Sequence, residues 1–370
     1  MSQRRLKLVP ALGTRGGPAR WRREREGATV EAHEQGFRDG AWSFLYGEDT
    51  EYAVEGRDGE VAEAARRART GAPPEVVQGP VMKPAVWTWE VPLYFWTGGI
   101  AAGSGFVALA CDLAGDSASA ATARKVSLAA LAPSPLLLIA DLGRPARFLN
   151  MLRIFKPRSP MSMGAWCLTL FGNLMAAAVG ADLLGRRREA RAIGAAAAVV
   201  GGYLGSYTGV LLGSTAVPLW ARSRLFLGPI FVSTATATGA AACRLALVAT
   251  GVPEGHPTHI ALGRVETGAI ATELALSTIN ERRLGRLSAA LHQGAAGRTF
   301  SAAKWSVRAG LALRLLRRRG GPVTHHVASC LYLGGGLAFR YAWVAAGRHS
   351  ARDDRAVADA ARGMGERKSA

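Results

Sequence analysis

The sequence predicts an all-α membrane protein with about eight transmembrane helices and an extended polar N-terminal arm. The first 88 residues are polar and charged, whereas Ala, Leu, Gly and Val dominate from about residue 90 to residue 346 in blocks of about 20 residues. Blocks of that length match the roughly 30 Å hydrocarbon core of a bilayer, because a helix rises about 1.5 Å per residue. The chain has 370 residues and a formal charge of +19. Much of that charge lies between the blocks, where we expect lipid phosphates and acidic partners, and no nucleic acid, to meet it.

Eight apolar blocks define the predicted spans. The seventh contains Lys304 and Arg308, and a charged side chain near the bilayer centre costs several kcal/mol unless it snorkels or pairs. We therefore expect this block to lie partly in the interface or to be buried against its neighbours. Basic residues occur in the connectors on both sides, so they do not orient the chain. The blocks are residues 90–112, 122–142, 163–184, 190–214, 225–249, 258–280, 299–316 and 324–346.

The two ends of the chain are predicted to be polar. Residues 1–85 have too few apolar side chains for a core of their own, apart from a short helix expected over 59–71. Two interpretations of this arm stay open: a solvated tail, or a strap along a partner subunit. The basic start lacks the apolar segment of a signal peptide, so none is expected. Residues 347–370 form a basic polar tail.

The cysteines and histidines argue against a bound metal or haem. Each cysteine stands alone in an apolar block without CxxC spacing, which indicates small packing residues rather than iron–sulfur or zinc ligands. No histidine lies deep in a block, whereas a membrane cytochrome b needs axial histidines between its helices. His325 and His326, at the start of the last block, are interpreted as interfacial. The cysteines are Cys111, Cys167, Cys243 and Cys330.

The connector from Asp141 to Trp166 is unusually rigid and basic for a tether between two spans. Pro145 disfavours helix at the residue before it, and "RFLNMLRIF" is typical of a short amphipathic helix on a membrane surface. Ser162 is the predicted N-cap of the third span. Two interpretations stay open: a solvated loop whose basic residues snorkel to lipid, or a docking platform that walls a pocket at the membrane edge.

Four segments together resemble the NrfD/PsrC family, the integral membrane subunits of polysulfide-reductase-like complexes. They follow one another in the order expected of the family, and the resemblance covers about residues 85–346. The segments are "WEVPLYFWTGGIAAGS" in the first span, "DLGRPARF" and "PRSPMSMGAW" in the connector, and "YTGVLL" in the fourth span.

This resemblance implies a fold and a function. Residues 86–346 would form an NrfD-like transmembrane domain of two four-helix bundles, in the multi-pass topology of a protein of a prokaryotic cell membrane. Family members carry no haem and bind a quinone, menaquinone or ubiquinone, at the bundle edge. A ferredoxin-like iron–sulfur subunit lies beside it and exchanges electrons with a molybdopterin catalytic subunit. The membrane subunit would supply a proton path and would not be catalytic alone.

The resemblance also implies a quinone site at the side of the membrane where the first span begins. Glu90 and Tyr94 are four residues apart and share one helix face, and Asp141, Arg144 and Tyr207 lie at the same side. A tyrosine of the "YTG" type donates to a quinone carbonyl in the family, and this role is carried onto Tyr207. Where the family often has His or Asn at the start of the first span, this chain has Trp89 and Glu90. Trp87, Trp89 and Trp96 are interpreted as interfacial belt residues.

Glu266 and Glu273, seven residues apart in the sixth block, share one helix face. An acid inside a span is a functional candidate, and we consider these two as a proton relay. The competing interpretation is that they neutralise Arg244, Arg264 or Arg308. Arg340 in the last span carries the same ambiguity. Asp182, near a helix end, is interpreted as interfacial.

Two other functions are compatible with parts of the sequence. A secondary transporter could also have two four-span halves, although no internal repeat and no matched pair of broken helices is evident. A purely structural anchor would use Glu266 and Glu273 only for packing. The terminal substrate would bind on another subunit, so this chain does not identify it.

Overall fold

A computed structural model describes residues 82–142, 146–315 and 321–361. Most of the predicted N-terminal arm, the helix expected over 59–71 and Arg144 lie outside these residues. Residues Val86–Ser350 form one compact unit, and the segment from Ala351 belongs to another. The predicted tail contains a short helix, Asp354–Ala361, within that second unit.

Every predicted span corresponds to helix, and the described residues contain no β-strand. In chain order the helices are α1 (Glu90–Leu113), α2 (Ser117–Leu131), α3 (Pro133–Asp141), α4 (Ala146–Arg153), α5 (Pro160–Leu183), α6 (Arg187–Gly213), α7 (Pro218–Arg222), α8 (Arg224–Ala249), α9 (Pro257–Leu284), α10 (Gly294–Leu315), α11 (Pro322–Ser350) and α12 (Asp354–Ala361), and a 3₁₀ helix covers Gly285–Leu291.

Five segments are long and apolar enough to cross a membrane: α1, α2 with α3, α5, α6 and α8. Helices α9, α10 and α11 are long enough, at 28, 22 and 29 residues, but they are less apolar. Charged residues such as Arg264, Glu266 and Lys304 interrupt their apolar runs. The number of eight spans therefore stays a prediction.

Helix α8 lies at the centre of the packing. It contacts α1 and α6 from the first four spans and α9 and α11 from the last four. Glycines at the α1–α8 crossing bring the two backbones together, because a Cβ on Gly103 or Gly239 would collide with the backbone of the other helix. The arrangement in two four-helix bundles stays a prediction.

Proline, glycine and serine set the helix ends. Pro133 begins α3 and separates it from α2, because proline supplies no N–H to the helix ladder. Gly115 and Gly185, with φ of 81° and 73°, end α1 and α5 in the left-handed conformation that glycine adopts without strain.

The connector before the third span contains the predicted short helix, α4, but its cap differs from the prediction. Ser159, rather than Ser162, is the N-cap of α5, since its side chain accepts a hydrogen bond from the Ser162 N–H. Pro160 explains the earlier start, because its fixed φ suits the first helical position and that position needs no N–H partner. The hydroxyl of Ser162 instead donates to the Ile154 carbonyl at 3.2 Å.

Candidate functional site

Two carboxylates lie near each other where the first span begins. Glu90 is the first residue of α1 and accepts a hydrogen bond from the Thr88 hydroxyl. Asp141 is the last residue of α3, and its carboxylate is close enough to that of Glu90 for the two charges to repel. The Tyr341 hydroxyl from α11 donates to the Trp89 carbonyl at 2.9 Å beside them. This end of the molecule therefore offers two neighbouring carboxylates.

One turn further along α1, a pair of tyrosines is buried in apolar surroundings. Tyr94 is 4% exposed and Tyr207 from α6 is 5% exposed, and both belong to one cluster with Phe171 and Leu204. The two tyrosines are close enough to interact electrostatically. Neither hydroxyl has a hydrogen-bond partner in the described part of the chain. Both hydroxyls are therefore available to donate to a ligand.

The Tyr207 ring packs closely against α5 at Gly164, a residue without a side chain. A Cβ on Gly164 would collide with the ring and the hydroxyl of Tyr207. Gly164 lies in "PMSMGAW", at the end of the connector from Asp141 to Trp166 where that connector becomes α5. The structure thus brings Glu90, Asp141, Tyr94 and Tyr207 to one end of the helices, and Arg144 lies outside the described residues.

The three tryptophans at this end differ in their environments. The Trp87 ring stacks on Trp220 with centroids 5.2 Å apart, and the Trp96 indole donates to the Leu333 carbonyl at 3.0 Å. Both are therefore held by other parts of the chain. Trp89 is 59% exposed, as an interfacial belt residue would be.

Glu266 is fully buried and is neutralised by an arginine that the sequence analysis did not name. Its carboxylate accepts from Arg314 of α10, and the Ser329 hydroxyl lies 3.3 Å from each of its oxygens. Arg314 also approaches His325 Nδ1 at 2.9 Å. Arg244 instead pairs with Glu254 at 2.9 Å. The pairing interpretation therefore finds its partner in Arg314, and Arg308 is exposed on α10.

Glu273 is buried without an ion-pair partner in the described residues. It accepts from the Ser277 hydroxyl at 2.7 Å and lines a cavity of about 10 Å³ with Lys304 and Tyr332. That volume is about enough for one water molecule. Arg340, 2% exposed, lies over the Phe231 ring at 4.2 Å. A carboxyl at such a site can change protonation more easily than one that is locked in an ion pair.

A second buried cluster of charges, with two ion pairs that share Arg124, joins α1, α2 and α5, and sequence reasoning missed it. Arg124 contacts Asp112 at 2.6 Å and Asp182 at 2.6 Å and 2.9 Å, with the three side chains 1%, 4% and 8% exposed. The carboxylate of Asp182 forms a bidentate pair with Arg124 between the helices, and its position at the membrane interface stays a prediction. The sequence does contain a signal for these ion pairs: one basic and two acidic residues lie near the ends of the first three spans, on the same side of the helices.

The described residues contain no group of three or more His, Cys, Asp or Glu that could hold a metal ion. All four cysteines lie in helices and are free, and Cys111, Cys167 and Cys243 are buried.

A model of a known protein family matches more than half of the chain. The family model described as "Polysulphide reductase, NrfD" matches residues 80–279. The match covers α1 to α8 and most of α9, including every predicted quinone-site residue and both Glu266 and Glu273. It confirms the resemblance drawn from the four segments. A search of curated proteins found no match to this chain.

Proposed function

Because the chain belongs to the NrfD family, we propose that it is the haem-free, quinone-interacting anchor of a multisubunit oxidoreductase. Members of this family are membrane subunits of molybdopterin oxidoreductase complexes. In the proposal, the chain exchanges electrons between a ferredoxin-like iron–sulfur subunit and the quinone pool of a prokaryotic plasma membrane. The iron–sulfur clusters and the molybdopterin belong to partner subunits.

The observation that carries the proposal is the pair of buried tyrosine side chains, Tyr94 and Tyr207, in one apolar cluster. The fit to a quinone rests on three features: two donors, an apolar surround for a ring, and two carboxylates at the adjacent helix ends. Ligand sites of this kind combine apolar walls with a few placed polar groups. Tyr94 and Tyr207 would hold the ligand, while Glu90 and Asp141 would face its entrance.

Each residue has a distinct task in this site. A bound quinone takes up two electrons together with two protons. The Tyr207 hydroxyl donates a hydrogen bond and so orients the ring, and Tyr94 provides the second donor. Glu90 and Asp141 pass protons between the site and the aqueous side, because two neighbouring carboxylates can share a proton. Phe95 and Leu168, in the same buried cluster, exclude water.

Replacing Tyr207 by Phe tests the proposal. It removes one donor and keeps the ring, so we expect quinone-linked turnover to fall about tenfold, the equivalent of a hydrogen bond of about 1.4 kcal/mol. Tyr203→Phe is the matched control, since Tyr203 lies 6.1 Å from Tyr207 between ring centroids and is only half-buried. Iron and molybdenum that co-purify with each variant would report assembly. Unchanged turnover in an assembled Tyr207→Phe complex would overturn the assignment.

A further inference from the structure

A cavity of about 700 Å³ lies near the far end of α8, away from the tyrosine pair. Helix α8 begins against the end of α6, where Arg224 contacts Gly213. Tyr207 lies less than two turns before that end. Arg244 lines the cavity 20 residues after Arg224, which corresponds to about 30 Å along a helix. The cavity is therefore at the opposite end of the helices from the proposed quinone site.

The cavity walls are rich in positive charge. Arg244, Arg264 and Arg314 line it with His259 and His325, and Glu254 is the one carboxylate among the described lining residues. Glu254 already contacts Arg244 and His326, each at 2.9 Å. Arg264 is exposed and has no ion pair with a described residue. The local positive charge is therefore left partly uncompensated.

Two of these guanidinium groups converge on one glycine. A Cβ on Gly263 would lie 3.5 Å from Nη1 of Arg314 and 4.0 Å from Nη1 of Arg244. Arg314 is only 7% exposed, and its Nε has no hydrogen-bond partner in the described residues. Arg314 is paired with Glu266 and Arg244 with Glu254, so the three arginines of the cavity exceed their carboxylate partners by one positive charge, which a bound anion would offset.

We propose that this cavity binds the phosphate group of an anionic ligand through Arg244, Arg264 and Arg314. Guanidinium groups form bidentate hydrogen bonds with phosphate oxygens, which suits a site built from three arginines. The volume exceeds that of a bare phosphate and falls in the range of small-molecule pockets. The position at the end of the spans favours a phospholipid headgroup as the source of the phosphate, because basic pockets between such helices bind anionic headgroups.

The test measures ligand binding by the detergent-purified, delipidated chain in native mass spectrometry. The probes are phosphatidylglycerol, phosphatidylcholine and inorganic phosphate. We expect wild type to prefer phosphatidylglycerol over phosphatidylcholine. Arg264→Gln should weaken that binding about fivefold, as expected for one basic residue near a membrane surface. Arg308→Gln is the matched control, because Arg308 is also exposed but lies outside the cavity.

Gly263→Leu provides a second variant that fills the space between the guanidinium groups and should abolish binding. If it does not fold, Arg264→Gln alone decides, since that side chain is exposed. Inorganic phosphate that binds and displaces the lipid would identify a soluble phosphate compound as the ligand, whereas lipid binding without phosphate binding would identify the headgroup. No preference for phosphatidylglycerol and no phosphate binding would overturn the proposal, as would equal losses in Arg264→Gln and Arg308→Gln. The readout involves no quinone, so the result is independent of the proposed function.

Discussion

At the scale of single residues, the charged groups inside the helices differ in how they are compensated. Arg124 has two carboxylates, and Glu266 has Arg314 and Ser329. Glu273 has only a serine hydroxyl, and Arg340 has a carbonyl at 3.4 Å and an aromatic face. Removing one member of a buried ion pair leaves the other charge uncompensated, which is costly. The ion pairs of Arg124 and Glu266 are therefore expected to stabilise the fold. Glu273 and Arg340 are the candidates for a functional role.

Arg124→Gln should destabilise the chain by about 3–5 kcal/mol, because it leaves Asp112 and Asp182 buried without their counter-charge. Thermal unfolding in detergent measures the effect. The control is Arg186→Gln, which removes an ion pair whose side chains are 60% and 48% exposed. Exposed pairs contribute about 1 kcal/mol or less. Equal losses of stability in the two variants would show that the buried ion pairs stabilise the chain no more than the exposed one.

Glu273→Gln should slow proton-coupled turnover if Glu273 is part of a proton relay, because the amide cannot take up a proton while it keeps the size of the side chain. Turnover is compared with proton uptake in membranes, and thermal unfolding reports stability. Glu281→Gln serves as the control, since Glu281 lies on the same helix but is paired with Lys304 at 2.5 Å. Unchanged turnover and stability in Glu273→Gln would reject the relay.

At the scale of helices, close packing depends on small residues where apolar area alone does not drive association. The α1–α8 crossing shows this most directly, because Gly103 lies against Ala235 and Gly239 lies against Gly103. By contrast, a Cβ on Gly98, which is also in α1, would have no atom within 4 Å. Glycine is thus required by packing at some positions of α1 and not at others.

Gly239→Ala should destabilise the chain by about 1–3 kcal/mol, since the new methyl group forces α1 and α8 apart. Gly98→Ala is the matched control. It meets no atom within 4 Å and should be neutral or stabilising by about 0.5–1 kcal/mol, because alanine favours helix. Thermal unfolding of both variants in the same detergent compares them. A stable Gly239→Ala variant would mean that the crossing can relax without cost.

At the scale of the whole molecule, the membrane topology depends on which of the eight long segments cross the bilayer. Helix α10 is the critical case, because it contains Lys304 and Arg308. Lys304 is paired with Glu281 at 2.5 Å and lies 5.0 Å from the Phe300 ring centroid, so its charge is compensated within the protein. Arg308 lies over the Trp305 ring at 5.6 Å. These contacts lower the cost of placing α10 in a bilayer.

We expect α10 to span, so that Arg286 and Gly321, which flank it, lie on opposite sides of the membrane. The measurement uses single cysteines, Arg286→Cys and Gly321→Cys, in a chain whose own cysteines are replaced by alanine, with a membrane-impermeant maleimide. Gly185→Cys and Ser214→Cys, which flank the strongly apolar α6, give the reference for opposite sides. Labelling of Arg286→Cys and Gly321→Cys from the same side would place α10 in the interface.

The sequence by itself determined the positions of the helices and the family. Apolar block length, with Pro133, Pro160 and Gly115 as local signals, is a property of consecutive residues and does not depend on the rest of the fold. The four family segments likewise identify the chain without a structure. The start of α5 was misplaced by three residues because two serines competed as caps, and the proline between them decided.

Only the tertiary structure decided which polar groups meet. Arg314 reaches Glu266 from 48 residues away, and Asp182 reaches Arg124 from 58 residues away. Such pairs depend on how each helix is rotated about its axis, and the packing of small residues at distant crossings sets that rotation. The pairing of Tyr94 with Tyr207 depends in the same way on Gly164 in a third helix. Local composition carries no record of these rotations, so the site could be predicted as a set of candidate residues but not as a set of contacts.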